Sequence, residues 1–253
     1  MARLDGHQAL ITGAASGFGR AIARAFAAEG AAVTIADIDA EAAAATAEEL
    51  AALGRRAISV RADVRSAPDL EAAVARTEAA FGGLSILVAN AGIGQRPRRA
   101  SETEASLMRD HYEVNAIGLA ATCQAALPAL RRCGEDASII LTLSGLALQP
   151  RPEFCAYGMA KAAGAYLMKA LAQDLAPEGI RVNGLFPAVS ATPMFDAFSD
   201  GQPEKAADFA AKMPLGRLIS PEDVAAAAVY LASPAEAGAV TGFALAIDGG
   251  RAN

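Results

Sequence analysis

The chain has no tryptophan, two histidines and three cysteines among its 253 residues, and only 5% of it is aromatic. The cysteines, Cys123, Cys133 and Cys155, are odd in number and show no CxxC spacing, so neither a disulfide framework nor a metal site is expected. His7 and His111 lie far apart with no carboxylate pattern around them and read as packing or surface residues. No run approaches the roughly 18 to 20 uninterrupted apolar residues a membrane helix needs. Nor does the opening Met1-Ala2-Arg3-Leu4-Asp5-Gly6 have the apolar stretch of a secretory signal. A cytoplasmic protein without membrane contact is therefore expected. The net charge of -6 is modest and the basic residues are dispersed, which argues against nucleic acid as a partner. One basic cluster, Arg96, Arg98 and Arg99 around Pro97, reads as a solvated loop. Its alternative is recognition of an acidic group on a substrate or carrier, since guanidinium pairs well with carboxylate and phosphate.

What the chain does have is apolar content, 53% of residues, spread in short runs broken by charges. That suffices for one sizeable core, and a single domain over 1–253 is expected. Strand-favouring runs at 8–12, 32–36, 57–61, 84–89, 138–143, 180–186 and 243–247 alternate with helix patterns at 17–30, 40–54, 68–81, 103–132, 154–176 and 221–232. This alternation predicts an α/β fold: a doubly wound, parallel, seven-stranded sheet with helices on both faces. Most of the runs, such as Leu84-Ser85-Ile86-Leu87-Val88-Ala89, are almost continuously apolar, as strands covered on both faces should be. Ser220-Pro221-Glu222-Asp223 reads as a cap residue, a first-turn proline and two acids opening a helix. The stretch 190–215 breaks the rhythm with Pro193, Pro203, Pro214 and Gly201, and reads as a lid with short helices.

The first strand runs into Thr12-Gly13-Ala14-Ala15-Ser16-Gly17-Phe18-Gly19 and then an alanine-rich helix. Glycines at such a junction allow a tight turn, let the backbone approach a pyrophosphate and bring helix against strand, while the helix N-terminus offers amide donors. The spacing is GxxxGxG, not the general GxGxxG fingerprint. Asp37 follows the second strand, where a carboxylate can accept hydrogen bonds from both adenosine ribose hydroxyls and repel a 2′-phosphate. A Rossmann-type sheet binding NAD rather than NADP is the expectation.

Tyr157 and Lys161 are four apart on one predicted helix and so share a face. A phenol titrates near pH ~10, and a nearby ammonium that stabilises the phenolate moves it toward a working value. Ser144 ends the fifth strand, where a hydroxyl can meet the tyrosine across a substrate carbonyl. Asn90-Ala91-Gly92 ends the fourth, and Asn115 lies in the helix after it. With Asp63-Val64, the segment from Pro187 to Thr192, and Asp248-Gly249-Gly250, these motifs span almost the whole chain. In them the chain resembles the classical short-chain dehydrogenase/reductase family.

The resemblance implies a catalytic set of Tyr157, which exchanges a proton with the substrate oxygen; Lys161, which depresses its pKa and binds the nicotinamide ribose; Ser144, which orients the carbonyl; and Asn115, which supports a water relay. It implies cofactor contacts from Gly13, Ser16, Gly17, Phe18, Gly19, Asp37, Ile38, Asp63, Val64, Asn90, Ala91, Gly92, Pro187, Ser190 and Thr192. Ser16 and Ile38 stand where NADP-preferring members often carry a basic residue, which again favours NAD. Ala188 replaces a usual glycine and puts the path of the nicotinamide loop in question. A small alcohol or ketone is the implied substrate, with Ser144, Leu146, Phe154 and Tyr157 around it. Gly94, Gln95, Gln149, Arg151, Ala188, Val189, Met194, Phe195 and Phe198 are further pocket candidates. A homotetramer, or a homodimer, is implied as well. Two other functions fit the same residues less well: an NADPH-linked 3-oxoacyl thioester reductase, which Asp37 opposes, and a catalytically silent dinucleotide-binding sensor, which the intact Asn115, Ser144, Tyr157 and Lys161 set opposes.

Overall fold

Seven short strands, β1 (Gln8–Thr12), β2 (Ala32–Asp37), β3 (Ala57–Arg61), β4 (Ile86–Ala89), β5 (Ser138–Thr142), β6 (Arg181–Pro187) and β7 (Ala244–Ile247), pair in parallel in the order β3-β2-β1-β4-β5-β6-β7. The computed structural model describes residues 2–251, the side chain of Glu135 excepted. Alternation along the strands divides the core in two. Ala9, Ile11, Val33, Ile35, Ile86, Val88 and Ile140 face one side, where α1 (Gly17–Ala28), α2 (Ala40–Ala52) and α9 (Pro221–Ala232) cover them. Leu10, Leu87, Ala89, Ile139, Leu141 and Val182 face the other, under α3 (Ala67–Phe81), α5 (Leu119–Cys133) and α6 (Cys155–Leu175). This is the doubly wound, Rossmann-type sheet expected from the sequence, and no helix is long and apolar enough to cross a membrane among the described residues.

The helix ends follow from their residues. Ser220 and Asp223 form a reciprocal capping box on α9, each side chain taking the other's backbone N–H (3.1 and 2.9 Å). Asp39 caps α2, its carboxylate accepting from the Ala42 N–H (3.0 Å). Gly30 (φ +94°) and Gly54 (φ +73°) end their helical stretches in the left-handed region, which costs a residue without Cβ little.

The predicted helix over 103–132 is broken. After α4 (Ala105–Tyr112) comes one π-helical turn, Glu113–Gly118, before α5 resumes at Leu119. Such turns usually mark functional sites, and this one carries Asn115. Strand β4 is shorter than the predicted 84–89 because Leu84 and Ser85 lie before the β1 ladder, although the Ser85 N–H still reaches the Gln8 carbonyl (3.0 Å). The irregular stretch 190–215 holds two short helices, α7 (Phe195–Ser199) and α8 (Lys205–Ala211).

Strand order reverses between β1 and β4, so the loops leaving their carboxyl ends part to opposite sides and open a crevice there. Thr12, Asp37, Ala89, Thr142 and Pro187 all end their strands along this edge.

Candidate active site

A cavity of about 800 Å³ runs along the carboxyl edge, from the β1–α1 turn, past Asp37 and Asp63, to Ser144, Tyr157 and the 190–198 segment. The turn is shaped for close backbone approach. Gly13 adopts φ +64° and Gly17 φ +53°, and a Cβ on Gly13 would lie 2.8 Å from the Ala91 Cα. Gly19 does not line the cavity: it lies behind the turn, where a Cβ would overlap the Gly13 carbonyl oxygen, so its role is to let α1 close on the strand. Asn90 holds this turn to β4, its side-chain amide donating to the Thr12 and Gly13 carbonyls (3.0 and 2.9 Å) while its own N–H donates to the Thr12 hydroxyl (3.1 Å).

Gly13, Ser16, Gly17, Phe18, Asp37, Ile38, Asp63, Val64, Asn90, Ala91, Gly92, Pro187, Ser190 and Thr192, all expected as cofactor contacts, line the cavity. The Asp37 carboxylate accepts from the Ala15 and Asp39 N–H groups (3.0 and 3.1 Å), which fixes it at the cavity edge beside the turn. Asp63 is held in a bidentate pair with Arg65, whose hydrogen bonds keep its carboxyl below the usual range. The residues fit a dinucleotide on one further ground. The Thr142 and Ser190 hydroxyl oxygens, both on the cavity lining, are buried and without a hydrogen-bond partner. Ala188, whose replacement of glycine raised the question of the loop path, needs no positive φ and donates its N–H to the Ile247 carbonyl (3.0 Å).

At the other end of the cavity, α6 presents Tyr157 and Lys161 on one face, both almost wholly buried. Burial pushes the Tyr157 phenol up to about 12, and a hydrogen bond with Ser144 offsets part of this. Burial lowers Lys161 to about 8. The depression of Tyr157 by Lys161 that the family pattern implies is thus not what the chain alone displays. The ammonium donates to the Thr142 carbonyl (2.9 Å) and lies 5.8 Å from the centre of the tyrosine ring. Ser144, on the cavity lining, accepts from the Leu146 N–H (3.2 Å) and so caps a 3₁₀ turn, Gly145–Ala147.

Asn115 is fully buried behind the cavity lining. Its side chain clamps Ile93, accepting from the N–H (2.8 Å) and donating to the carbonyl (3.0 Å), and it touches His111 Nδ1 at 3.2 Å. His111, expected as a packing or surface residue, packs: it is completely buried, with its ring edge-on to Tyr157 at 6.1 Å. Burial holds its pKa below the ordinary value. Nothing in the sequence signalled this contact, since it depends on α4 lying against α6.

Of the substrate candidates, Leu146, Gln149, Arg151, Phe154, Ala188, Val189, Met194 and Phe198 line the cavity. Three others do not. Gln95 is buried as a clamp, accepting from the Tyr157 N–H (2.8 Å) and donating to the Glu153 carbonyl (2.9 Å). Gly94 lies under Met194, where a Cβ would come within 2.7 Å of that side chain, and Phe195 packs edge-on against Phe209. Arg96, Arg98 and Arg99 are also off the lining, and Arg96 makes an exposed pair with Asp200 (3.5 Å).

Comparison with known proteins places these features in context. A family model described as enoyl-(acyl carrier protein) reductase matches residues 13–252. The cis-4-hydroxycyclohexanecarboxylate dehydrogenase of Sinomonas cyclohexanicum is 40% identical over 96% of this chain and 95% of its own length. The 4-formylbenzenesulfonate dehydrogenase of Comamonas testosteroni is 38% identical over 98% of each. A crystal structure of 3-ketoacyl-(acyl-carrier-protein) reductase from Brucella melitensis complexed with NADH superposes with a TM-score of 0.91 at 38% identity, covering 99% of this chain and 100% of that one.

Proposed function

The chain belongs to the short-chain dehydrogenase/reductase family, whose Rossmann fold binds a nicotinamide dinucleotide, and from that premise we propose that it moves a hydride between NAD and the carbinol or carbonyl carbon of a small alcohol or ketone. The bound nicotinamide supplies or accepts the hydride; the chain's residues handle the proton and the geometry. The observation that carries the reading is the placement of Ser144, Tyr157 and Lys161 together on the lining of the cavity that also takes in the glycine turn.

Oxidation needs a base at the substrate oxygen and reduction an acid, and Tyr157 is the group placed for both. A phenol raised by burial is a reluctant base, so a cation must favour its ionised form. Lys161, one helical turn on, serves that role. With a pKa near 8 it is still mostly charged at neutral pH. Ser144 holds the substrate oxygen against Tyr157. Asn115 acts through Ile93, fixing the backbone that leaves β4. Asp37 supports NAD over NADP, because its carboxylate faces the cavity where a 2′-phosphate would bring like charge. The same feature counts against an NADPH-linked thioester reductase.

The 190–215 segment is the lid of this reading, with Met194 and Phe198 over the substrate. A homotetramer accords with the exposed apolar side chains of Ile117, Met159 and Tyr166 on the π turn and α6. A cytoplasmic location completes it. Two of the relatives named above act, by their names, on ring compounds bearing a carboxylate or sulfonate, which directs attention to that substrate class. Tyr157→Phe tests the core of the reading: turnover of a secondary-alcohol panel, followed at the reduced-nicotinamide absorbance, is expected to vanish while NADH binding stays within a few-fold. Substantial residual turnover would overturn Tyr157 as the acid/base.

A further inference from the structure

Beyond Tyr157 the cavity wall is aromatic and then cationic. Phe198 meets the Tyr157 ring edge-on at 5.2 Å, Phe154 lies 5.6 Å from Phe198, and the Arg151 guanidinium lies 5.3 Å from the centre of Phe154. The same guanidinium lies 4.9 Å from the centre of the Phe209 ring. Arg151 is thereby fixed in place by two rings rather than left to sweep through solvent. Among the described residues no carboxylate forms an ion pair with it, and the second cation on this part of the lining, Arg251, has none either.

The electrostatic balance at this position is unfavourable as it stands. Arg151 is held below its ordinary value by partial burial first and by the like charge of Arg251 second, and the Glu153 carboxylate offsets only part of this. Two guanidinium groups converging on one cavity, one of them clamped and half withdrawn from water, make a site whose missing partner is an anion. Phe154 and Phe198 make the wall between Arg151 and Tyr157 apolar, a surface suited to a hydrocarbon body. The polar demand at the two ends is different: a hydroxyl or carbonyl at Tyr157 and a negative charge at Arg151.

We propose that Arg151, backed by Arg251, anchors a carboxylate or sulfonate of the substrate, so that the molecule turned over is a compact cyclic alcohol or ketone with its acid group remote from the reacting carbon. This rests on the oxidoreductase reading for the chemistry, though the anchor itself can be tested without turnover. The charge-assisted contact supplies orientation as much as affinity: it fixes which carbon of the ring is presented to Tyr157.

Calorimetric titration with cyclohexanecarboxylate and with the uncharged cyclohexanecarboxamide, NADH present, is the direct test. The wild-type protein is expected to bind the carboxylate about 10- to 100-fold more tightly than the amide, the range of one charge-assisted contact. Arg151→Gln should erase that ratio without weakening the amide, and Arg151→Lys should keep part of it. Equal binding of acid and amide by the wild type, no binding of either, or an undiminished ratio in Arg151→Gln would overturn the anchor. Oxidation of 4-hydroxycyclohexanecarboxylate and its amide with NAD separates the two ideas. Discrimination in binding without turnover of either alcohol would leave the anchor standing and sink the oxidoreductase reading. Turnover without discrimination would do the reverse.

Discussion

Replacing Asn115 with leucine keeps the branched outline of the side chain, at a larger volume, and removes every polar contact the residue makes. The Ile93 N–H loses its acceptor at 2.8 Å, the Ile93 carbonyl loses its donor at 3.0 Å, and His111 Nδ1 loses a neighbour at 3.2 Å while its Nε2 already has no partner. A buried polar group left unpaired costs about 1–3 kcal/mol. Ile93 is 38% exposed, so water recovers part of the loss there. A net cost of about 2–4 kcal/mol follows, which for a chain of this size lowers Tm by roughly 5–15 °C. The loss is local as well as global, because Ile93 follows Asn90-Ala91-Gly92, the backbone that lines the cavity. Scanning calorimetry reads the first effect, and amide exchange over 90–95 reads the second, with faster exchange expected in the variant. A Tm within 2 °C of wild type and unchanged exchange would refute the clamp and leave Asn115 as a residue acting on substrate or solvent alone.

Asp37→Ala is expected to lower the NAD-to-NADP ratio of kcat/KM by about 10- to 100-fold, the loss of charge-assisted hydrogen bonds to the ribose. An unmoved ratio would mean that Asp37 serves only the Ala15 and Asp39 amides it holds. Stability against pH should show the buried pair. Lys161 is lowered from 10.5 to about 8, so the unfolded chain binds that proton more readily and stability climbs as pH rises from about 8 to 10.5. Tyr157 is raised from 10.0 to about 12, so its contribution is full below pH 10 and is lost as pH rises toward 12. Melting of the dinucleotide-free protein should therefore rise from pH 8 to 10, and Lys161→Met should flatten that rise. Parallel curves for the two proteins would be evidence against a strained buried ammonium.

The strands were legible because their residues are apolar on both faces and their ends are punctuated: β1 and β3 begin and end where the sequence pattern places them, and β5 differs by one residue. The glycine turn, Asp37, Ser144 and the Tyr157–Lys161 pair were legible for a related reason, since each sits at a strand end or on a helix face where local spacing fixes direction. The π turn was not legible. It carries Asn115 against Ile93, a contact between segments that periodicity does not register. Gln95 reads from the sequence as a pocket candidate, whereas its amide is taken up by the Tyr157 N–H and the Glu153 carbonyl. His111 and Arg151 belong to the same class: their side chains are ordinary in sequence, and only the elements packed against them give one a tyrosine edge and the other two phenylalanine faces.

The place of β1 in the sheet also bears on how the chain is made. It is the earliest strand in the sequence, yet it lies between β2 and β4, and its second edge is covered only when Ile86–Ala89 arrives. At synthesis rates of about 5–20 residues per second, the 74 residues from Thr12 to Ile86 take roughly 4–15 s to appear. For that interval the future centre of the molecule is an open strand edge of Ala9, Leu10 and Ile11, the kind of surface on which neighbouring nascent chains aggregate. The Asn90 tether of the glycine turn can form only at the end of it, so the binding crevice is closed in the same event that buries the hazard.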